Sequence, residues 1–201
     1  MRAIHFLRES HPMQLISLNT ATAQPLEVPG GKTVLSGIRK QSQTERLAVQ
    51  ALGVAGDEQA DLSVHGGTAK AVYAYPLEHY AFWQTVRAQA KAAGWSEALP
   101  HGAMGENLTL SGLLENQVWI GDVLKFPDCE LTVSEPRFPC FKFNAVMGFK
   151  QAVKMMGQSG WCGFYLSVKT PGTLQAGEAF ELIPGPREMS IPELFRVKFR
   201  A

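Results

Sequence analysis

The sequence predicts a mainly β fold with a minority of helix, arranged as a barrel or a sandwich. Three observations point there. Short runs rich in Val, Ile, Leu and aromatic residues recur along the chain, and Gly, Pro, Asn or Asp separates many of them. Only two segments carry the 3.6-residue period of a surface helix, so strands and helices do not alternate as a βαβ array requires.

Taken in order, "MQLISL" (13–18), "KTVLSGI" (32–38), "ERLAVQAL" (45–52) and "KAVYAY" (70–75) are the first extended segments. "PLEHYAFWQTVRAQAKAAG" (76–94) reads as a helix. Pro76 suits its first turn, Phe82, Val86, Ala90 and Ala93 share a face, and Gly94 is placed to end it. "NQVWIGDVLKF" (116–126) and "CELTVSE" (129–135) return to extended chain. In "NAVMGFKQAVKMMG" (144–157) Asn144 is the expected cap, Ala145, Phe149, Ala152, Val153 and Met156 the apolar stripe, and Gly157 the stop. "GFYLSVKT" (163–170) and "EAFELI" (178–183) complete the strands. "LIPGPREM" then breaks the chain, and "SIPELFRVKFRA" opens a helix with Ser190 and Glu193 at capping-box spacing. Residues 1–185 are therefore expected to form one β domain and residues 186–201 a short helical tail.

At 201 residues the chain is long enough to bury roughly 70% of its unfolded surface, so it folds without help from disulfides or metal. Its 19 basic and 18 acidic residues are scattered and leave a net charge of +1, which argues against a nucleic-acid or membrane surface and for a small or neutral partner. The N-terminal stretch lacks the apolar run of a secretory signal, and a cytoplasmic protein is expected. Cys129, Cys140 and Cys162 match no zinc or iron–sulfur spacing and are expected as free thiols.

Three loops carry residues with chemistry. In "GDEQADLSVHGGTAKAVYAYP" (56–76), His65, Gly66 and Gly67 followed by Lys70 make a polar, glycine-bearing loop suited to an anion, or simply a tight turn. In "HGAMGENLTLSG" (101–112), Glu106 and Asn107 stand at a turn leading into a strand, where they either hold a polar ligand or bond the loop to itself. In "LTVSEPRFPCFKFNAV" (131–146), Pro136 and Pro139 bracket a turn that puts Cys140 at a strand end, with Arg137 and Lys142 favouring its thiolate. Packing is the ordinary role of a free cysteine, and Cys129 and Cys162, inside strands, fit it. For Cys140 two other roles stay open: a nucleophile with His65 or His101 as base, and a soft ligand to a metal whose remaining ligands a cofactor supplies.

These stretches, together with "SGIRK" (36–40), "VWIGDVLKF" (118–126) and "GWCGFYLSVKTPGTLQAGEAFEL" (160–182), resemble the MOSC domain, named after the C-terminal domain of molybdenum-cofactor sulfurases, and its YiiM-like members in particular. The resemblance covers about residues 12 to 183. It implies a closed β-barrel with peripheral helices and a molybdopterin-type cofactor whose molybdenum takes the Cys140 thiolate. It also implies that His65, Gly66, Gly67, Lys70, Glu106, Asn107, Arg137 and Cys140 bind that cofactor. The implied reaction is reduction of N-hydroxylated bases such as hydroxylaminopurine, in which two electrons and two protons remove the N–O oxygen as water. His65 or Glu106 is the expected proton donor. The chain has no flavin, nicotinamide, haem or iron–sulfur fingerprint, so electrons are expected from a separate reductase. A homodimer is compatible with this picture. A carrier that holds the cofactor or a sulfur species without turnover, and a metal-free Cys140/His65 hydrolase, are the competing readings. Two departures stand out. The relatives' three-helix C-terminal extension is represented only by "SIPELFRVKFRA", and Phe138 occupies a position where the family commonly has a small residue.

Overall fold

The computed structural model describes residues 12–60 and 66–199. Six strands come first: β1 (Gln14–Thr20), β2 (Gln24–Val28), β3 (Lys32–Ser36), β4 (Gln41–Gln43), β5 (Leu47–Gln50) and β6 (Gly53–Val54). β7 (Val72–Pro76), α1 (Tyr80–Gln89), β8 (Leu108–Ser111), β9 (Val123–Lys125) and β10 (Glu130–Pro136) follow. The chain ends with α2 (Phe141–Met147), α3 (Ala152–Ser159), β11 (Phe164–Thr170), β12 (Gly172–Leu174), β13 (Glu181–Ile183) and α4 (Ile191–Lys198).

Eight strands form one sheet in the order β13-β9-β10-β11-β7-β8-β1-β4, with β7 and β8 its parallel pair; β12-β5-β6 and the β2–β3 hairpin form smaller sheets. The mainly β expectation holds, but the sheet does not close into a barrel. β4 occupies the outer edge of β1 at Leu18–Thr20, so the returning chain reaches only its first residues. There Gln14 bridges Ala179, the Leu15 N–H donates to Glu178 O at 2.9 Å, and the Phe180 N–H donates to Met13 O at 3.1 Å. That is a seam of a few bonds, not a ladder.

Several elements differ from their sequence reading for local reasons. The expected strand 116–126 begins as a turn, because the buried Asp122 carboxylate accepts the N–H groups of Trp119 (3.0 Å) and Gly185 (2.7 Å) and only Val123–Lys125 extends. α1 stops five residues before Gly94, with Lys91 at φ 58, and the face it buries is Tyr80, Trp83 and Val86 rather than the stripe through Ala90 and Ala93. The aromatic face wins because its polar tips find partners: the Trp83 indole N–H donates to Tyr75 Oη at 2.6 Å, and the Tyr80 hydroxyl donates to Glu106.

The helix expected over 144–157 is two helices. Gly148, at φ 79, ends α2, and Asn144 sits inside α2, where its Oδ1 accepts the Val153 N–H at 2.8 Å and so caps α3 from the side. Gly157 lies inside α3, which closes at Gly160 instead. α4 starts on the anticipated capping box: Ser190 Oγ accepts the Glu193 N–H, and Glu193 Oε2 accepts the Ser190 N–H at 2.9 Å. Its Ile191 and Phe195 join the same apolar cluster as Leu15, Val72, Leu108, Leu131 and Phe164.

The turn before β8 is built around a buried charge. Glu106 is fully buried, and its carboxylate accepts four hydrogen bonds, from the Tyr80 hydroxyl, the Thr109 hydroxyl (2.8 Å) and the N–H groups of Gly102 (2.9 Å) and Met104 (3.0 Å). Asn107 beside it joins three strands: its Oδ1 accepts the Tyr73 N–H at 3.1 Å and its Nδ2 donates to Asn19 O at 3.2 Å. Burial also pushes the Cys129 thiol up to about 12 and holds Tyr73, Tyr75 and Tyr80 well above the ordinary phenol range.

Two predictions follow from these buried groups. Glu106→Gln places an amide –NH2 against N–H donors and lowers the unfolding free energy in urea by about 2–3 kcal/mol; unchanged stability would show that the carboxylate does not fasten the loop. Because the Cys129 thiol ionises later when folded than when unfolded, its stabilisation is complete below the unfolded value and fades as pH rises through about 9 toward 12, with the tyrosines adding in the same sense at higher pH. Denaturant midpoints should therefore fall from pH 8 to 10.5 in the parent, and fall less in Cys129→Ala.

Candidate functional site

Strand ends and the turns before them surround a cleft enclosing about 110 Å³. Cys140, Arg137, Phe138 and Lys142 enter it from the segment after β10, Gly66 and Lys70 from the turn before β7, and Gly105 and Asn107 from the turn before β8. The end of β3 adds Gly37, Ile38 and Lys40, and residues 57–60 form the remaining wall.

Cys140 is half-buried at the N-terminal end of α2, in extended conformation (φ −113, ψ 174), and its carbonyl accepts the Phe143 N–H at 2.9 Å. It differs from the other two thiols, which are buried and held protonated by that burial. Arg137 lies beneath the cleft at 5% exposure. Its guanidinium sits 5.2 Å from the Tyr73 ring centroid and 4.7 Å from that of Phe143, and Nη1 donates to Met156 Sδ at 3.4 Å. Among the described residues no carboxylate lies within ion-pair distance of it. Burial opposes its charge, yet Tyr73, Tyr165 and Cys140 outweigh that and hold its pKa above the usual value.

Two of the other cleft cations have acidic neighbours. Lys40 and Asp57 form a buried ion pair, and the same Asp57 oxygen accepts the Ala21 N–H at 2.9 Å. Lys70 stands 3.7 Å from Glu135 and 6.0 Å from the Tyr165 ring centroid. Gln59 positions the glycine turn: its Oε1 accepts the Gly67 N–H at 3.3 Å while its Nε2 donates to Lys70 O at 3.3 Å. Gly67 sits at φ 81 with no described residue within 4 Å of where a Cβ would stand, so among the described residues φ rather than crowding calls for glycine.

Of the eight residues expected to bind a cofactor, five line this cleft: Gly66, Lys70, Asn107, Arg137 and Cys140; Gly67 does not line it, though its N–H donates to Gln59, which does. Glu106 does not: its carboxylate is turned into the fold and saturated by loop donors, so it positions Gly105 and Asn107 rather than reaching the cleft. His65 lies outside the described residues. Tyr73 and Tyr165, which look like ordinary strand residues in the sequence, also belong to the site. They are cross-strand partners between β7 and β11 with ring centroids 5.3 Å apart, and they wall the cleft beside Arg137. Lys40, Asp57 and Gln59 were likewise unassigned; only the pairing of distant segments reveals them.

Comparison with known proteins agrees with this arrangement. The MOSC domain family profile matches residues 61–181. The chain is 37% identical over 186 residues to the protein YflK of Bacillus subtilis (strain 168), covering 92% of this chain and 80% of that one. It is 34% identical over 165 residues to the protein YiiM of Escherichia coli (strain K12), covering 82% and 70%. A protein named reductase from Gibberella moniliformis (strain M3125 / FGSC 7600) is 36% identical over 157 residues, which are 78% of this chain and 27% of that much longer one. The crystal structure of YiiM from Geobacillus stearothermophilus superposes with a TM-score of 0.73 at 28% identity, covering 94% of this chain and 85% of that one. On family profile, sequence identity and superposed fold together, the chain belongs to the MOSC domain family, as a YiiM-like member.

Proposed function

We propose that this protein is a molybdenum-cofactor-dependent oxidoreductase that reduces N-hydroxylated compounds, with Cys140 as the thiolate ligand to the metal. The observation that carries the reading is the pairing of a half-buried thiol with a buried guanidinium that has no carboxylate partner among the described residues, both on one cleft. Cys140 already favours that charge against burial, and an anionic ligand in the cleft acts in the same sense. The likeness to a protein named reductase supports redox chemistry without naming a substrate.

The residues fit such a group. Cys140 offers a soft sulfur donor, Arg137 a fixed positive charge, and the Gly66–Gly67 turn a side-chain-free edge that a phosphate can approach closely. When bound, the cofactor supplies two-electron removal of oxygen from an N–O bond; the chain's own part is to bind, orient and exclude water. Tyr73, Tyr165 and Phe138 wall the cleft with aromatic surface that suits a planar base. With Glu106 saturated, proton delivery falls to water at the open side of the cleft or to His65. Electrons come from a separate reductase, and the setting is the cytoplasm, where the three cysteines stay free. Among the described residues no helix is long and apolar enough to cross a membrane.

Two experiments test this. Protein made in a host competent for molybdopterin synthesis should carry molybdenum and reduce hydroxylaminopurine with an artificial electron donor, and Cys140→Ser should lose both. Bound metal without turnover of any N-hydroxylated compound would instead support a carrier, and full metal retention in Cys140→Ser would refute the ligand assignment. Arg137→Met should abolish cofactor retention while leaving the stability of the ligand-free protein unchanged or raised by up to about 2 kcal/mol, since it removes a buried charge; a large loss of stability would show that the guanidinium is a structural fastener.

A further inference from the structure

The cysteine segment is gripped from behind by α3 and α4. The Phe138 ring, which lines the cleft, lies 5.5 Å from the Phe195 ring of α4 with planes 9° apart. Phe195 in turn lies 4.9 Å from Phe199 with planes 11° apart, making a three-ring stack. The far end of the stack rests on α3: a Cβ at Gly157 would stand 1.8 Å from the Phe199 ring. That close approach, not helix termination, is why glycine occupies position 157. The residue before it, Met156, accepts from Arg137. Adjacent residues of the cleft wall, Arg137 and Phe138, are thus held by α3 and α4 respectively.

Only Pro139 separates Phe138 from Cys140. Its ring fixes its own φ and restricts the ψ of Phe138, so the three residues move as a stiff unit. A shift of the Phe138 backbone therefore has fewer soft dihedrals to be absorbed in before it reaches Cys140.

We propose that α4 is a positioning element of the candidate site, with Phe195 acting through Phe138 to set the conformation and exposure of Cys140. The inference rests on the reading of Cys140 as the functional thiol, and it assigns the tail a task in this chain's own site. Phe195 also borders a second cavity of about 370 Å³ between α3, α4 and the turn at Glu115. Phe195→Tyr keeps the flat ring and adds only a hydroxyl, which makes it a conservative control.

The test is the rate at which iodoacetamide labels Cys140 in the native full chain, followed by mass spectrometry, on protein from a host that makes no molybdopterin. Phe195→Leu keeps apolar bulk but loses the flat face, and Gly157→Ala displaces Phe199 while leaving Phe195 intact. Both should label Cys140 about three- to tenfold faster than the parent, the factor expected when one stacked pair is lost. Phe195→Tyr should label at the parent's rate. Folded Phe195→Leu and Gly157→Ala proteins that label no faster than the parent would overturn the proposal and leave α4 as packing. If labelling changes as expected but protein from a competent host binds no molybdenum, the positioning role stands and the proposed function falls.

Discussion

The buried guanidinium of Arg137 is the group around which the working half of the molecule is arranged. A permanent charge at that depth needs polarizable surroundings, and it gets them from Tyr73 on β7, Phe143 on α2 and Met156 on α3. These three elements meet only because β10 ends at Pro136 and its neighbour β11 starts just past a glycine. Gly163, at φ 65, brings its carbonyl toward the Arg137 N–H at 3.4 Å, and a Cβ there would stand 2.3 Å from Ala74 O. The register shift between Val133 and Glu135 turns the end of β10 toward this junction. The cleft's positive floor is thus a consequence of strand register and helix packing together.

Around that floor the chain uses carboxylates as fasteners. Glu106 holds the turn before β8, and Asp122 holds the turn before β9. Glu115 accepts the Gly163 N–H at 2.8 Å with one oxygen and meets His79 Nε2 at 2.8 Å with the other, tying the strand start below Arg137 to the turn before α1. Each satisfies backbone N–H groups that irregular turns leave without a ladder partner. Acidic residues that look chemically available in the sequence are therefore mostly spent on building loops.

The helices that follow Cys140 are as much a part of the site as the loops. α2 holds the carbonyl of Cys140, α3 supplies the sulfur that accepts from Arg137, and α4 backs Phe138. What reads in the sequence as one helix with a glycine stop, followed later by a short helical tail, is a three-piece brace. The difference comes from Gly148 and Gly157, whose roles depend on what lies across from them.

Residue pattern alone was enough to place most strands, the cap of α4 at Ser190 and Glu193, and Cys140 as the thiol at a strand end, because propensity, turn chemistry and capping are local and act over a few residues. The block order carried the family. Tertiary structure alone decided that Glu106 faces inward, that Asn144 caps the next helix rather than its own, that Tyr73 and Tyr165 share the cleft, and that β4 keeps the sheet from closing. Each of these depends on a partner tens of residues away, and no periodicity in the chain encodes which distant donor, ring or strand edge will arrive there.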